Sequence, residues 1–221
     1  MVDIDIDKIL EKTEKMEEEK KKKQKVILIS ITSATVILLA IFIFFLINII
    51  LGEKSTVYYP LKSGIKFIYN KKNQSPEEWE ILNKIENINN YECKILNVID
   101  KGTFSSTQEY YYTGKKEGII RMAISKDYGK KIKAGFKLLP ARIKKGMEFK
   151  TGKIKDKIIN AKVEEKETLS LPIGTLTTYR VHYKAEPYYD EIIWFAKNTG
   201  IVKKVDNVNN TELNIINMEE R

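Results

Sequence analysis

Groups suited to nucleophilic or acid–base chemistry are scarce in this chain: His182 is the only histidine and Cys93 the only cysteine. His182 alternates with Arg180 and Lys184, which places it on the polar face of a strand as an exposed residue. A lone imidazole can serve as a general base near neutral pH, but such work needs a partner within hydrogen-bond reach, and no motif links one to it. Cys93 shares the parity of Tyr91 and Ile95 and reads as a small buried apolar residue. A reactive thiol wants a cationic, accessible setting instead. Asp190 and Glu191 are adjacent in a strand and point to opposite faces, which suits neither a shared metal nor an acid/base pair. Walker loops, dinucleotide fingerprints, serine elbows and Cys/His metal spacings are absent. The expectation is no catalytic residue, no metal and no cofactor; the alternative is a hydrolase-like enzyme using His182.

The strongest site-like feature is a basic stretch. Between Lys130 and Lys157, eleven basic residues stand against two acids, a net +9, equal to the formal charge of the whole chain. Lys130, Lys131, Lys133, Lys137, Arg142, Lys144 and Lys145 flank the apolar segment Phe136-Lys137-Leu138-Leu139-Pro140. Such a patch can attract anionic lipid headgroups or envelope polymers. It also reads as a solvated, solubilising lysine surface. No nucleic-acid partner is expected, since no recognition motif accompanies the charge.

Stepping along the chain, Val26–Leu51 runs 26 residues without a charge. As a helix at about 1.5 Å per residue it exceeds a hydrocarbon core of about 30 Å, so it can span a bilayer with some tilt. Lys20, Lys21, Lys22, Lys23 and Lys25 crowd its first edge, and only Gly52, Glu53 and Lys54 follow the second. The positive-inside rule then puts residues 1–25 in the cytoplasm and 52–221 outside. Residues 1–25 carry eight lysines and eight acids, with Ile6, Ile9, Leu10, Thr13 and Met16 at helix-like spacing between early acids and late lysines, a charged helical tail. No small-residue cleavage site ends the apolar run, and no cysteine follows it for lipidation. An uncleaved, single-pass signal anchor is the expectation.

Beyond Gly52 the dominant period is two. Tyr179, Val181 and Tyr183 alternate with Arg180, His182 and Lys184; Tyr91, Cys93 and Ile95 alternate with Glu92 and Lys94. This is the pattern of half-buried antiparallel strands. It predicts strands near 57–60, 65–70, 78–86, 91–99, 106–113, 118–124, 146–151, 159–169, 175–184, 189–196, 201–206 and 211–217. Turn residues such as Asn87–Asn90, Lys101-Gly102 and Asn198–Gly200 separate them. Ser75-Pro76 also suits a helix start, leaving a short helix at 76–86 as an alternative. With no internal repeat, residues 52–221 form one mainly β domain, a meandering sheet curved into a barrel or sandwich.

Three motifs resemble a family of uncharacterised bacterial envelope lipoproteins. Tyr58-Tyr59-Pro60-Leu61 before Gly64-Ile65-Lys66-Phe67-Ile68-Tyr69 is similar to its aromatic-x-Pro-Leu-x-x-Gly-x-x-Trp-x-Tyr opening, with Phe67 in place of Trp. Leu171-Pro172-Ile173-Gly174-Thr175-Leu176 resembles its Pro-x-Gly-Thr turn, and Trp194-Phe195-Ala196 through Gly200-Ile201-Val202-Lys203 its final hairpin. The resemblance implies a curved antiparallel sheet like the half-barrel of lipoprotein carriers, and no catalytic residues. Here a helix would replace the lipid anchor. A half-barrel would bury an apolar ligand against its aromatic concave face, with Tyr110, Tyr112, Tyr179, Tyr183 and Trp194 as the expected lining. The functional expectation is a membrane-anchored binding or interaction module for lipid, anionic envelope polymer or another envelope protein.

Overall fold

A computed structural model of the chain describes residues 20, 23, 36–47 and 50–220. The chain divides into two compact units, Met1–Ile50 and Leu51–Arg221. In the first, residues 36–47 are helical and expose their apolar side chains, among them Ile41, Phe42 and Phe45. Among the described residues no helix is long and apolar enough to cross a membrane. The expected span begins at Val26, and its first ten positions lie outside the described residues, as does nearly all of the 1–25 tail.

The second unit is antiparallel throughout, with fourteen strands among the described residues, twelve in one sheet and two in a small separate one. Its strands are β1 (Glu53–Lys54), β2 (Ile65–Lys71), β3 (Glu77–Ile88), β4 (Tyr91–Asp100), β5 (Ser106–Gly114), β6 (Gly118–Lys126) and β7 (Ile132–Leu139). They continue with β8 (Arg142–Ile143), β9 (Glu148–Ile154), β10 (Lys157–Leu171), β11 (Gly174–Ala185), β12 (Tyr189–Ala196), β13 (Gly200–Asp206) and β14 (Thr211–Glu220). Twelve of these pair in the order β7-β6-β5-β4-β3-β2-β14-β13-β12-β11-β10-β9. The two edge strands, β7 and β9, come back beside each other without a hydrogen-bonded ladder. A Cβ on Gly152 of β9 would stand 3.4 Å from the Phe136 ring of β7. The sheet is therefore a nearly closed barrel, more closed than a half-barrel and not a two-sheet sandwich.

Two local expectations are corrected. Residues 57–60 form no strand: Ser55–Val57 is a turn of 3-10 helix, and Tyr58, Tyr59 and Leu61 are buried. Aromatic density there reflects core filling rather than pairing. Residues 132–139, read only as part of a basic stretch, are strand β7, whose alternation is diluted by Lys133, Gly135 and Lys137. The 76–86 ambiguity resolves as strand β3, with Pro76 just before it, where its missing N–H costs no ladder bond. Gly200 takes φ +104° at a hairpin, a conformation that L side chains resist, and a Cβ there would just touch the Tyr59 ring at 3.4 Å.

The segment 52–64 closes one end of the barrel. Tyr58 packs edge-on against Tyr179 at 5.0 Å and Tyr59 against Tyr111 at 5.2 Å. Its backbone is tied in by Ser55 N–H to Ala141 O (3.1 Å) and by Asn198 N–H to Val57 O (2.6 Å).

Candidate functional site

Strand parity sends Glu109, Tyr111, Glu191 and Ile193 into the barrel, where a partly open cavity of about 220 Å³ remains between the plugged end and the opposite rim. Trp79, Tyr111, Phe136 and Tyr189 form its aromatic walls, and Glu77, Glu109, Arg121, Glu191 and Lys204 supply its charges. Each charge has a partner. Arg121 Nη1 donates to Glu109 Oε1 at 2.8 Å, and Lys204 Nζ lies 2.6 Å from Glu191 Oε1. The Tyr111 hydroxyl donates to Glu109 Oε2 at 2.6 Å, and the Tyr189 hydroxyl to Glu191 Oε2 at 2.7 Å. Trp79 Nε1 donates to Glu77 Oε2 at 3.0 Å, whose other oxygen takes Lys71 Nζ at 2.9 Å.

Burying charge is costly unless it is paired and hydrogen-bonded. Burial opposes the charged form of Arg121, but Glu109 first, then Tyr111, Tyr189 and Glu191, hold it protonated. Lys204 is likewise held protonated against burial by Glu191. The Tyr111 and Tyr189 hydroxyls are pushed up, first by burial and then by the adjacent carboxylates, so both stay neutral donors. Arg121 Nε is buried without a partner among the described residues, although the side chain borders the cavity. Three acids and three bases, Lys71 included, leave the wall near neutral overall. Such a wall offers donors, acceptors and ring faces, and selects neither a strong anion nor an alkyl chain.

The expected aromatic lining is not gathered in one place. Tyr179 and Tyr183 do face the interior, but as packed core: Tyr179 donates to Glu53 Oε1 at 3.0 Å, and Tyr183 donates to Leu138 O across the barrel. Tyr110 and Tyr112 have the opposite parity to Tyr111 and belong to a separate outer cluster with Cys93, Ile95 and Ala123. Trp194 pairs with Arg180 and Lys203 and donates to Glu167 Oε1 at 2.7 Å, away from the cavity. One residue of register separates Tyr110 and Tyr112 from the cavity-lining Tyr111, and a run of three tyrosines hides it. Arg121, Glu109 and Lys204 carried no sequence signal beyond ordinary surface charge. Glu191 had one: its parity opposes that of Asp190.

The seven basic residues are also dispersed. Lys131 pairs with Glu86 and lies 4.9 Å over the Tyr110 ring. Lys133 and Lys137 are on edge strand β7, where lysines discourage edge-to-edge pairing. Arg142 donates to Gly52 O at 2.8 Å, and Lys145 faces Glu165 at 3.7 Å. Lys130 sits in the β6–β7 turn and Lys144 in the β8–β9 connection.

His182 is less exposed than its alternation implied, because carboxylates from β10 and β12 flank it. Nδ1 is 3.2 Å from Glu164 Oε1 and Nε2 is 2.9 Å from Asp190 Oδ1. Asp190 also accepts from Asn207 Nδ2 at 2.7 Å. Both ring nitrogens are thus engaged by acids, Glu164 and Asp190, and not by a hydroxyl or thiol. Cys93 is fully buried and its thiol is pushed up by that burial, as a structural cysteine's is. Among the described residues no group of three or more His, Cys, Asp or Glu is disposed to hold a metal.

Against known proteins, no family model and no curated protein matches the chain. It is similar to a solved Bacteroides fragilis protein described as exported, with a YmcC-like fold (12% identity, TM-score 0.45, 73% of this chain and 98% of that one). It is also similar to a Parabacteroides distasonis protein described as a lipoprotein (12% identity, TM-score 0.36, 74% and 98%). At this identity and TM-score neither likeness carries a function or a location over to this chain.

Proposed function

We propose that this chain is a single-pass, membrane-anchored binding protein. In this reading its outer barrel takes a small polar ligand of near-neutral charge, such as a sugar unit or a zwitterionic group. The observation that carries the reading is the cavity bounded by the Arg121–Glu109 and Lys204–Glu191 pairs, with the Arg121 Nε–H left unused. Buried polar groups are ordinarily satisfied; the Arg121 Nε–H is itself shielded, so it is the paired charges and ring faces of the wall that favour a polar ligand or ordered water. Aromatic walls with a few convergent polar groups are the usual make-up of small-molecule sites. The filled core around Tyr58, Tyr59 and Tyr183 disfavours a carrier for whole acyl chains. Anchoring rests on the uncharged run Val26–Leu51 and the lysines before it, and the motif resemblance to envelope lipoproteins points to the same compartment.

Native mass spectrometry of the full chain, released from its membrane in mild detergent, tests this. A small polar adduct should be retained, and Arg121→Met should lose it while the barrel stays folded. Recovery of a two-chain lipid in its place, or no adduct at all, would overturn the ligand class. Protease access to a site placed after Arg221 tests the anchor separately: it should be cut only from outside the cell.

The hydrolase alternative has two observations in its favour, the Glu164–His182–Asp190 contact and an open cavity of about 500 Å³ that His182, Glu164 and Lys184 help to line. A base needs a free nitrogen lone pair facing substrate, and both nitrogens are committed, so the binding reading is preferred.

A further inference from the structure

β7 and β9 are the first and last strands of an all-antiparallel order of twelve, so they run in opposite directions where they meet at the seam, with Gly152 beside Phe136. Register fixes what each shows to solvent. Lys133 and Lys137 of β7 stand opposite Ala123 and Ile120 of β6, while cavity-lining Phe136 stands opposite Arg121. Lys150 and Lys153 of β9 stand opposite Asn160 and Ile158 of β10, which alternate with the core residues Ile159 and Ala161. All four lysines therefore point outward, two on each side of the seam. The opposed directions set Lys153 toward Lys133 and Lys150 toward Lys137.

None of the four reaches an acid, a hydroxyl or a carbonyl among the described residues. The rest of the sheet is different. On its other ten strands every cation but Lys126 has such a partner, as Lys66 has Glu78 at 2.8 Å and Lys203 has Glu212 at 2.8 Å. β7 and β9 carry four lysines and one acid, Glu148, which Lys162 takes at 3.3 Å. Halfway round the strand order, β3, β2 and β14 carry seven acids and three lysines. The wall is thus polarised, positive at the seam. Like charges facing one another across neighbouring strands repel, so the join that lacks hydrogen bonds also holds the uncompensated charge. Beside it, Lys150 borders an open cavity of about 500 Å³ with Asn160, Lys162, His182 and Lys184, room on the outer wall for a bound group.

We propose that the outer face of the β7–β9 seam is a docking track for a linear acidic polysaccharide, whose carboxylates lie along Lys133, Lys137, Lys150 and Lys153 and draw the two edges together. The lysines of β7 are four residues apart, about 13 Å at the rise of a strand. One small anion cannot serve both, whereas anions strung on one chain can. A bilayer presents a plane, but these cations run along the side of a curved wall beside a cavity, a path that a chain can follow. An acidic protein strand would need the edge N–H and C=O groups, which face each other across the seam. Single-stranded nucleic acid binds through rings as well as cations, and the outward neighbours here, Ala123, Ile120, Asn160 and Ile158, include none. Of the seven basic residues that the sequence groups as a patch, Lys133 and Lys137 belong to this track. It lies outside the barrel and rests on neither the cavity's ligand nor the anchor.

To test this, the full chain in a neutral detergent is titrated with fluorescent polygalacturonate, with dextran as the uncharged control. Binding is expected to the acidic polymer alone, weaker as salt rises. Lys133→Gln, Lys137→Gln, Lys150→Gln and Lys153→Gln combined should weaken it about tenfold or more. The same charge removed by Lys62→Gln, Lys72→Gln, Lys115→Gln and Lys116→Gln should change it by less than about twofold. With its repulsion gone, the seam variant should melt no lower than wild type. On the wild type, bound polymer should slow hydrogen exchange in β7 and β9 and leave β3 unchanged. That measurement decides the case without any variant. No binding by the wild type, equal loss from the two quadruple variants, or protection away from β7 and β9 overturns the proposal. Lysines that only guard the edges would leave the seam variant binding like wild type, which overturns it too. So does tighter binding of single-stranded DNA or of phosphatidylglycerol vesicles than of polygalacturonate.

Discussion

Glu191 holds two partners at once, the Lys204 ammonium at 2.6 Å and the Tyr189 hydroxyl at 2.7 Å, and is itself 6% exposed. Removing it leaves a shielded cation and a shielded hydroxyl with nothing to bind. Glu191→Ala should therefore cost about 2–3 kcal/mol, read from the unfolding midpoint in detergent. Glu191→Gln should cost less, since the amide oxygen can still accept one of the two bonds. A variant as stable as wild type would mean that water in the cavity takes over both contacts. Asp190, one residue away, has the reverse role. It faces out, holding Nε2 of His182, so one dipeptide serves both surfaces of the barrel wall.

At the scale of elements, the weakest join is the seam between β7 and β9, which lacks a ladder. Packing replaces hydrogen bonds there. Phe136 meets Tyr183 at 5.7 Å and Tyr189 at 6.1 Å, lies under the Arg121 guanidinium at 5.1 Å, and approaches Gly152 on the other edge. Phe136→Ala should lose about 3–5 kcal/mol as a large-to-small core change. It should also speed hydrogen exchange in β7 and β9 ahead of β3 and β4, whose ladders are intact. Uniform acceleration across all strands would show that the seam is no weaker than the rest. The 52–64 segment explains why the interior is not a long tunnel, because Tyr58, Tyr59 and Leu61 fill one end with side chains.

For the molecule as a whole, carboxylates are used as ties, and this gives it an acid limit. Burial pushes Glu53, Glu78 and Asp190 up. Hydrogen bonds from Lys166 and Tyr58, from Lys101 and Lys66, and from Asn207 and His182 outweigh it, so all three lie below their ordinary values. Glu86 is lowered by Lys131, Asp100 by the Thr103 and Gly102 amides, and Glu212 by Lys203. A carboxyl lowered on folding contributes stability that is complete above its unfolded value, about 4, and is lost as pH falls through the folded one. The melting temperature should accordingly be flat from pH 7 to about pH 5 and fall below about pH 4. Asp190→Asn should shrink that fall by its own share. A decline already complete at pH 6 would point to a different titrating group.

Much of the barrel was legible before any tertiary information. Strand positions from 65 to 217 follow from period-two alternation and turn residues, because a half-buried strand imposes that pattern locally. The opposed faces of Asp190 and Glu191 and the burial of Cys93 were readable for the same reason. β7 escaped because an edge strand tolerates lysine and glycine that blur the alternation. Which tyrosine of 110–112 faces inward was undecidable, since side-chain direction within such a run depends on cross-strand register. The cavity itself is a tertiary product. Glu109, Arg121, Glu191 and Lys204 come from β5, β6, β12 and β13, and only the curling of the twelve-stranded sheet into a nearly closed barrel brings those four charges around one partly open cavity, where burial makes pairing them obligatory.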